Sequence, residues 1–185
     1  MPAARRLGAR PPVVDLLTAK AFLNVLHDDD DALIGGLLEA AADHVEGVAR
    51  QLLGPQRWEV TFGPAAGRFA WPIAPVTAIE EVLYVGMDGV DVTLDAATYR
   101  LLDAGAGAVF AATHGTVMPS AFLDAAMVRM TVVAGLDPVP DALRIAVQML
   151  AATWYQTREA VVVGDEPRAV PMGVASLIST YRRFA

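Results

Sequence analysis

The strongest helical pattern of the chain lies at residues 140–160, PDALRIAVQMLAATWYQTREA. Its apolar side chains recur at steps of three and four residues, which predicts an amphipathic helix. Proline and aspartate at its start suit the first turn of a helix and the positive end of its dipole. Because the apolar stripe is wide, we expect this helix to pack against other helices as the spine of the fold. The stripe comprises Leu143, Ala146, Val147, Leu150 and Trp154.

Two further helices are predicted between the N-terminal residues and position 54. We expect Thr18 to cap a short helix that runs through Leu26 and buries Phe22. A run of aspartates then precedes a second helix, expected over residues 30–53, because carboxylates are favourable at a helix start. A Gly-Pro pair ends this helix. Its expected apolar stripe comprises Leu33, Leu37, Ala41, Val45, Val48 and Leu52.

Between residues 56 and 134 the apolar residues change to a period of two, which predicts strands separated by glycine-marked turns. The sequence therefore predicts an α+β fold that is mainly α: a helical bundle with a long C-terminal helix and an inserted small antiparallel β subdomain. Residues 1–16 are expected to form a mobile basic arm and residues 179–185 a tail. Residues 17–178 are expected to form a single domain, with helices at 18–54 and 140–160 and the β insertion at 56–134.

The composition excludes several classes of protein. The chain has 185 residues, no cysteine, one lysine and a formal net charge of -7, so disulfides and thiolate metal sites are excluded. Proteins that wrap nucleic acid tightly neutralise phosphates with Lys and Arg, and this balance argues against that role. The mean hydropathy is high at +0.41, yet charged residues interrupt every apolar run before it reaches membrane-spanning length. The surplus apolar surface is expected to face partner chains.

Catalytic motifs are nearly absent. His27 and the adjacent residues Asp28–Asp31 could bind Mg²⁺, Ca²⁺ or Mn²⁺ as the site of a small metal-dependent hydrolase, which we keep as an alternative. Their spacing is not that of an EF-hand, and acidity at a helix start is the more ordinary explanation. His44 and His114 lack the partners of a zinc or serine hydrolase, and no glycine turn precedes a phosphate-binding lysine. We therefore predict no catalytic residue, metal or cofactor.

Two clusters have the composition of interaction surfaces. The first ends the long helix with aromatic and charged side chains, which are enriched at interface cores but also occur in ordinary cores. It comprises Trp154, Tyr155, Arg158 and Glu159. The second is the tail, which either reaches a partner or is a disordered basic end. It comprises Tyr181, Arg182, Arg183 and Phe184.

The order of these segments resembles one known family. The quoted segments are LTAKAFLNVLHDDDDALIGGLLEAAADHVEGVARQLLG, WEVTF, WPIAPVTAIEEVLYVGMDGV, LDAATYRLL, VRMTVVAGL, PDALRIAVQMLAATWYQTREAV and PMGVASLISTYRRF. Together they resemble the head-tail connector, or adaptor, proteins of long-tailed bacteriophages and of gene transfer agents. The resemblance covers nearly the whole chain. It departs at the proline-rich first dozen residues and at residues 22–24, where the family tends to show a Leu-Arg pair.

The resemblance implies a structural role in the virion neck for a protein made in the bacterial cytoplasm. It implies a homo-oligomeric ring of about a dozen copies under the portal protein, which also meets a stopper or tail-completion protein. DNA would pass through the channel without specific binding, and no membrane is involved. By analogy, the tail residues would bind the portal and the cluster at the end of the long helix would lie at the subunit interface. Another ring-forming neck protein, a stopper or tail terminator, is the remaining alternative.

Overall fold

A computed structural model describes residues 2–64, 69–86, 89–103, 107–157 and 172–183. The chain divides into two compact units. The sheet unit comprises Met1–Arg10 and Pro55–Gly135, and the helical unit comprises Pro11–Gly54 and Leu136–Ala185. The helices are α1 (Leu16–Leu23), α2 (Asp31–Ala49), α3 (Ser120–Leu123), α4 (Asp141–Gln156) and α5 (Met172–Ser179). The strands are β1 (Ala3–Leu7), β2 (Gln56–Phe62), β3 (Val76–Val85), β4 (Asp91–Thr93), β5 (Tyr99–Asp103), β6 (Ala108–Ala112) and β7 (Met127–Ala134).

In the helical unit, α2, α4 and α5 share an aliphatic core. The predicted stripe of α4 is confirmed in its first four members, which are buried, while Trp154 packs against the core partly buried. In α2 the predicted Ala41 and Val45 are buried, but Ile34 is buried where Leu33 was expected. The core residues with almost no solvent exposure include Ile34, Val45, Leu53, Leu143, Val147, Leu150, Val174 and Ile178.

Helix α1 differs from its expected position at both ends. Asp15, not Thr18, is the N-cap, because its carboxylate accepts the Thr18 backbone N–H at 2.8 Å. The Thr18 hydroxyl donates to the same carboxylate at 2.6 Å, and these bonds hold the pKa of Asp15 below its ordinary value. The helix ends at Leu23 because Asn24 adopts the left-handed conformation. Leu26 therefore lies outside the helix and is 96% exposed.

In the sheet unit, five strands form one antiparallel sheet in the order β1-β2-β7-β3-β4, and β5 pairs with β6 in a separate hairpin. Strand β7 alternates strictly between buried and half-buried residues, as a strand with one covered face should. Val128, Met130 and Val132 point to that covered face. Aromatic side chains complete the core in edge-to-face and tilted contacts. They include Phe62, Phe69, Trp71, Tyr84, Phe110 and Phe122.

The prediction of a mainly helical bundle is wrong. The strands are not a small insertion, since they form a five-stranded antiparallel sheet with a core of its own. The helical period of residues 140–160 is strong, whereas the sheet joins strands that lie far apart in the chain, such as β1 with β2 and β2 with β7. Because the helical pattern is the stronger signal, the sequence alone underestimates the size of the sheet. The fold is α+β with comparable helical and sheet parts.

Residues 3–7 lie in a strand, although we expected them in a mobile arm. Strand β1 pairs antiparallel with β2, from Ala3 opposite Thr61 to Leu7 opposite Arg57. Its sequence, AARRL, lacks any apolar alternation, so nothing in it predicts a strand. It is ordered because the outer edge of β2 offers backbone hydrogen-bonding groups that need partners. The remaining domain limits stated above stay a prediction.

None of the described helices has the length and apolarity needed to cross a membrane.

Candidate assembly surfaces

The acidic link between α1 and α2 is organised around the single lysine of the chain. Lys20 is buried at 7% exposure, and its ammonium lies 2.6 Å from Asp28 and 2.6 Å from Asp31. The hydrogen bonds to Asp28 and then to Asp31 raise the pKa of Lys20, and the bond to Lys20 lowers the pKa of Asp28. We call these three residues the lysine cluster. Its two ion pairs hold the acidic link against α1, and they supply the carboxylates that a buried positive charge requires.

The metal-dependent alternative gains no support from this arrangement. Within the described parts of the chain, no group of three or more His, Asp or Glu side chains could hold a metal ion. The carboxylates of Asp28 and Asp31 face an ammonium, which occupies the position that a cation would need. His27 lies on the surface, 3.7 Å from Asp29. The aspartate run is a helix start, with Asp31 in the first turn of α2, as the ordinary explanation predicts.

The aromatic end of α4 contacts its own unit. The Trp154 ring meets the His44 ring edge-on at a centroid distance of 6.3 Å. The Tyr155 hydroxyl donates a hydrogen bond to the Asp30 carboxylate at the start of α2. Both aromatic residues pack partly buried against the helical core. Arg158 and Glu159, the other members of the expected subunit interface, lie outside the described residues.

The C-terminal tail is anchored through its backbone. The Arg183 N–H donates to the Ala49 carbonyl at 2.9 Å, and the Gln51 side chain donates to the Tyr181 carbonyl. The first bond satisfies a carbonyl at the end of α2, and both bonds hold residues 181–183 against this end. Arg182 is exposed, while Tyr181 is half-buried. Phe184 lies outside the described residues.

Helix α1 presents apolar side chains to solvent. Leu17 is exposed, and Phe22, which we expected to be buried, is exposed by about half. Leu26 follows in the link and is almost fully exposed. The buried residues of α1 are Ala19 and Lys20 instead. Exposed large apolar side chains that lie close together in the chain favour an interaction surface.

The outer face of the five-stranded sheet carries a feature that the sequence analysis missed. Arg5 on β1 lies 3.1 Å from Glu59 on β2, and Glu59 lies 3.9 Å from Arg129 on β7. Arg129 in turn lies 3.9 Å from Asp91 on β4. We call these four residues the charged row. It crosses the sheet from one outer strand to the other with alternating sign, and only the sheet register brings its members together.

Comparison with known proteins finds neither a family model nor a curated protein that matches the chain. Solved structures do match. A chain from the neck of an empty GTA particle, computed with C6 symmetry, superposes with a TM-score of 0.77 at 24% identity, covering 99% of this chain and 96% of that chain. A chain from the virion of a native gene transfer agent (GTA) particle gives 0.76 at 24%, covering 98% and 96%.

A third match has the highest identity of the three. A chain from the neck of a native GTA particle, computed with C12 symmetry, superposes with a TM-score of 0.71 at 26% identity, covering 99% of this chain and 96% of that chain. All three matches extend over both units. The chain therefore has the fold of proteins in the neck of gene transfer agent particles, which confirms the resemblance to the head-tail connector family.

Proposed function

We propose that this chain is the head-tail connector, or adaptor, of a tailed phage or gene transfer agent, and that it forms a ring in the virion neck. One observation carries the proposal: neck chains of gene transfer agent particles share this fold over 99% of the chain. Those necks were computed with C6 and with C12 symmetry. A ring of twelve copies satisfies both, because a twelvefold axis contains a sixfold axis.

The charge of the chain suits a channel for DNA. Its formal net charge is -7, because 21 Asp and Glu residues outnumber 14 Lys and Arg residues. A subunit with a net negative charge repels the phosphates of DNA overall and so binds DNA weakly. DNA can then slide through the ring during packaging and ejection without being retained.

The portal and a stopper or tail-completion protein are the proposed partners on the two sides of the ring. For the portal we propose the tail, with Tyr181, Arg182 and Arg183 as contacts. The backbone bonds to Ala49 and from Gln51 fix where this segment leaves the helical unit. A segment held in place loses less conformational entropy on binding than a disordered end would.

The role can be tested in the host by deleting the gene. Heads filled with DNA and separate tails should accumulate, because the chain joins them, and electron microscopy of the lysate would count joined and unjoined particles. Supplying the gene on a plasmid should restore joining. Normal numbers of joined particles in the deletion strain would contradict the proposed function.

The portal contact can be tested with side-chain substitutions that leave the tail backbone in place. We expect Arg182→Ala with Arg183→Ala to reduce co-purification with the portal at least tenfold, with no change in the circular dichroism spectrum. Arg144→Ala is the matched control, because Arg144 is an exposed arginine of the same unit whose partner is Asp141. Equal portal binding by both variants would remove the tail from the interface.

A further inference from the structure

The two outer strands of the sheet offer open edges. Strand β1 lies at one side and β4 at the other, and in the described part of the chain no strand pairs with the outer edge of either. Four of the five residues of β1, all but Leu7, are exposed, and all three residues of β4 are exposed. Open edges carry backbone N–H and C=O groups ready to pair with another strand. They need either protection or a partner.

The charged row gives the two edges opposite signs. Its central members, Glu59 and Arg129, have side-chain exposures of 25% and 32%, and each has partners on both sides. The end members, Arg5 and Asp91, are exposed at 72% and 56% and have a partner on the inner side. The row therefore starts with a positive charge on β1 and stops with a negative charge on β4.

We propose that β4 of one copy pairs with β1 of the next copy, so that the sheet and the charged row continue from subunit to subunit around the ring. This inference rests on the proposed function, because it needs a ring. Asp91 of one copy then lies beside Arg5 of the next, and the alternation of charge is unbroken across the junction. Each end member gains the second partner that the central members already have.

The charges also make the contact directional. Two β1 edges would bring arginines together and two β4 edges would bring aspartates together, so like edges repel each other. Only the unlike pair attracts. A contact between two different surfaces of identical copies is heterologous, and such contacts close into rings when the rotation allows.

Strand direction and spacing fit this arrangement. With five strands that alternate in direction, β1 and β4 point the same way, so rotation about a ring axis along the strands pairs them in parallel. Placing Asp91 beside Arg5 then places Thr93 beside Leu7. At about 4.8 Å per strand, five strands span about 24 Å, and about a dozen copies form a belt on the order of 290 Å around.

The absence of cysteine makes the junction testable by disulfide trapping. In the variant Leu7→Cys with Thr93→Cys, the two new thiols should meet across the junction. They cannot bond within one chain, because four strand spacings separate β1 from β4 by about 19 Å and a disulfide needs Cα atoms within about 7 Å. Ala3→Cys with Thr93→Cys is the matched control, since it shifts one thiol by about 13 Å along the strand.

The experiment assembles each variant with the portal, oxidises it, and resolves covalent multimers on a denaturing gel. We expect Leu7→Cys with Thr93→Cys to give a ladder up to the full ring, with at least fivefold more cross-linking than the control pair. Rings without a ladder, or equal ladders from both pairs, would overturn the strand junction and leave the connector role intact. Covalent dimers from Leu7→Cys alone would also overturn it, because they require β1 to meet β1. Failure of the unmodified chain to form a ring would instead contradict the proposed function.

Discussion

The charged side chains of the two units are arranged differently. In the helical unit, the lysine cluster is closed: one buried ammonium faces two carboxylates of the same unit at 2.6 Å. In the sheet unit, the charged row is open: its interior members have partners on both sides, while Arg5 and Asp91 end at exposed sheet edges. The ion pairs of the lysine cluster all lie within one unit, so they contribute to the stability of the fold. The two end members of the charged row can each form a further ion pair with another copy, so they can contribute to association. Stability and assembly should therefore respond to different substitutions.

The largest losses of folding stability are expected from substitutions in the two apolar cores. Leu150 and Met130 are almost fully buried in the helical and sheet units. Leu150→Ala and Met130→Ala should each lower the free energy of unfolding by about 2–5 kcal/mol, because each leaves a cavity. Urea denaturation of the purified chain measures this. Ile145→Ala, on the exposed side of α4, is the control and should stay within about 1 kcal/mol. Equal effects of Leu150→Ala and Ile145→Ala would contradict the packing of α4.

Removing the lysine should give the next largest loss of stability. Lys20→Met leaves two carboxylates facing each other at the start of α2, so the Tm should fall clearly more than for Arg144→Met, which breaks an exposed pair with Asp141. Ring formation at temperatures well below the Tm should be unchanged, because the cluster is internal.

The loss should depend on pH in a defined way. The folded pKa of Asp28 is lowered from 3.8 and that of Lys20 is raised from 10.5. Their contribution is therefore present between these two values, and it disappears as the pH falls through the lowered pKa or rises through the raised one. The Tm difference between the native chain and Lys20→Met should be constant inside this window and shrink outside it. A difference that grows in acid would contradict the pairing.

A smaller effect distinguishes the two possible roles of the α4 end. Tyr155→Phe removes only the hydroxyl that donates to Asp30, and should lower the free energy of unfolding by about 0.5–1.5 kcal/mol. If Tyr155 contacts only its own unit, the assembly of rings is unaffected at equal folded fraction. Analytical ultracentrifugation with the portal measures this. A loss of assembly without a loss of stability would assign Tyr155 to the subunit interface.

The smallest effect on stability is expected at the ends of the charged row. Arg5→Gln and Asp91→Asn should change the free energy of unfolding by less than about 1 kcal/mol, because both side chains are exposed. Both substitutions should instead raise the protein concentration that is needed for ring formation. This weakening should be largest at low salt, because salt screens exposed charges. A loss of stability with unchanged assembly would show that the charged row stabilises the fold and does not drive assembly.

Periodicity predicted the buried face of α4 because its apolar residues occupy one side. In α2 it predicted Ala41 and Val45 correctly but not the first turn, where Leu33 and Ile34 are adjacent apolar residues and only packing decides which of them is buried. It also missed β1, whose sequence has no strand pattern and which is ordered by the edge of β2. The charged row joins positions 5, 59, 91 and 129, and its members meet only through the sheet register, so local sequence could not reveal it. The order of segments nevertheless identified the resemblance that the neck structures confirm, although the predicted fold class was wrong.

Native mass spectrometry tests the connector role most directly. The purified chain would be measured alone and mixed with the portal protein encoded in the same genome. We expect a ring, formed by itself or only on the portal, with a mass that corresponds to twelve copies, as the C12 symmetry of the matching neck predicts. A chain that stays monomeric and does not bind the portal would contradict the connector role.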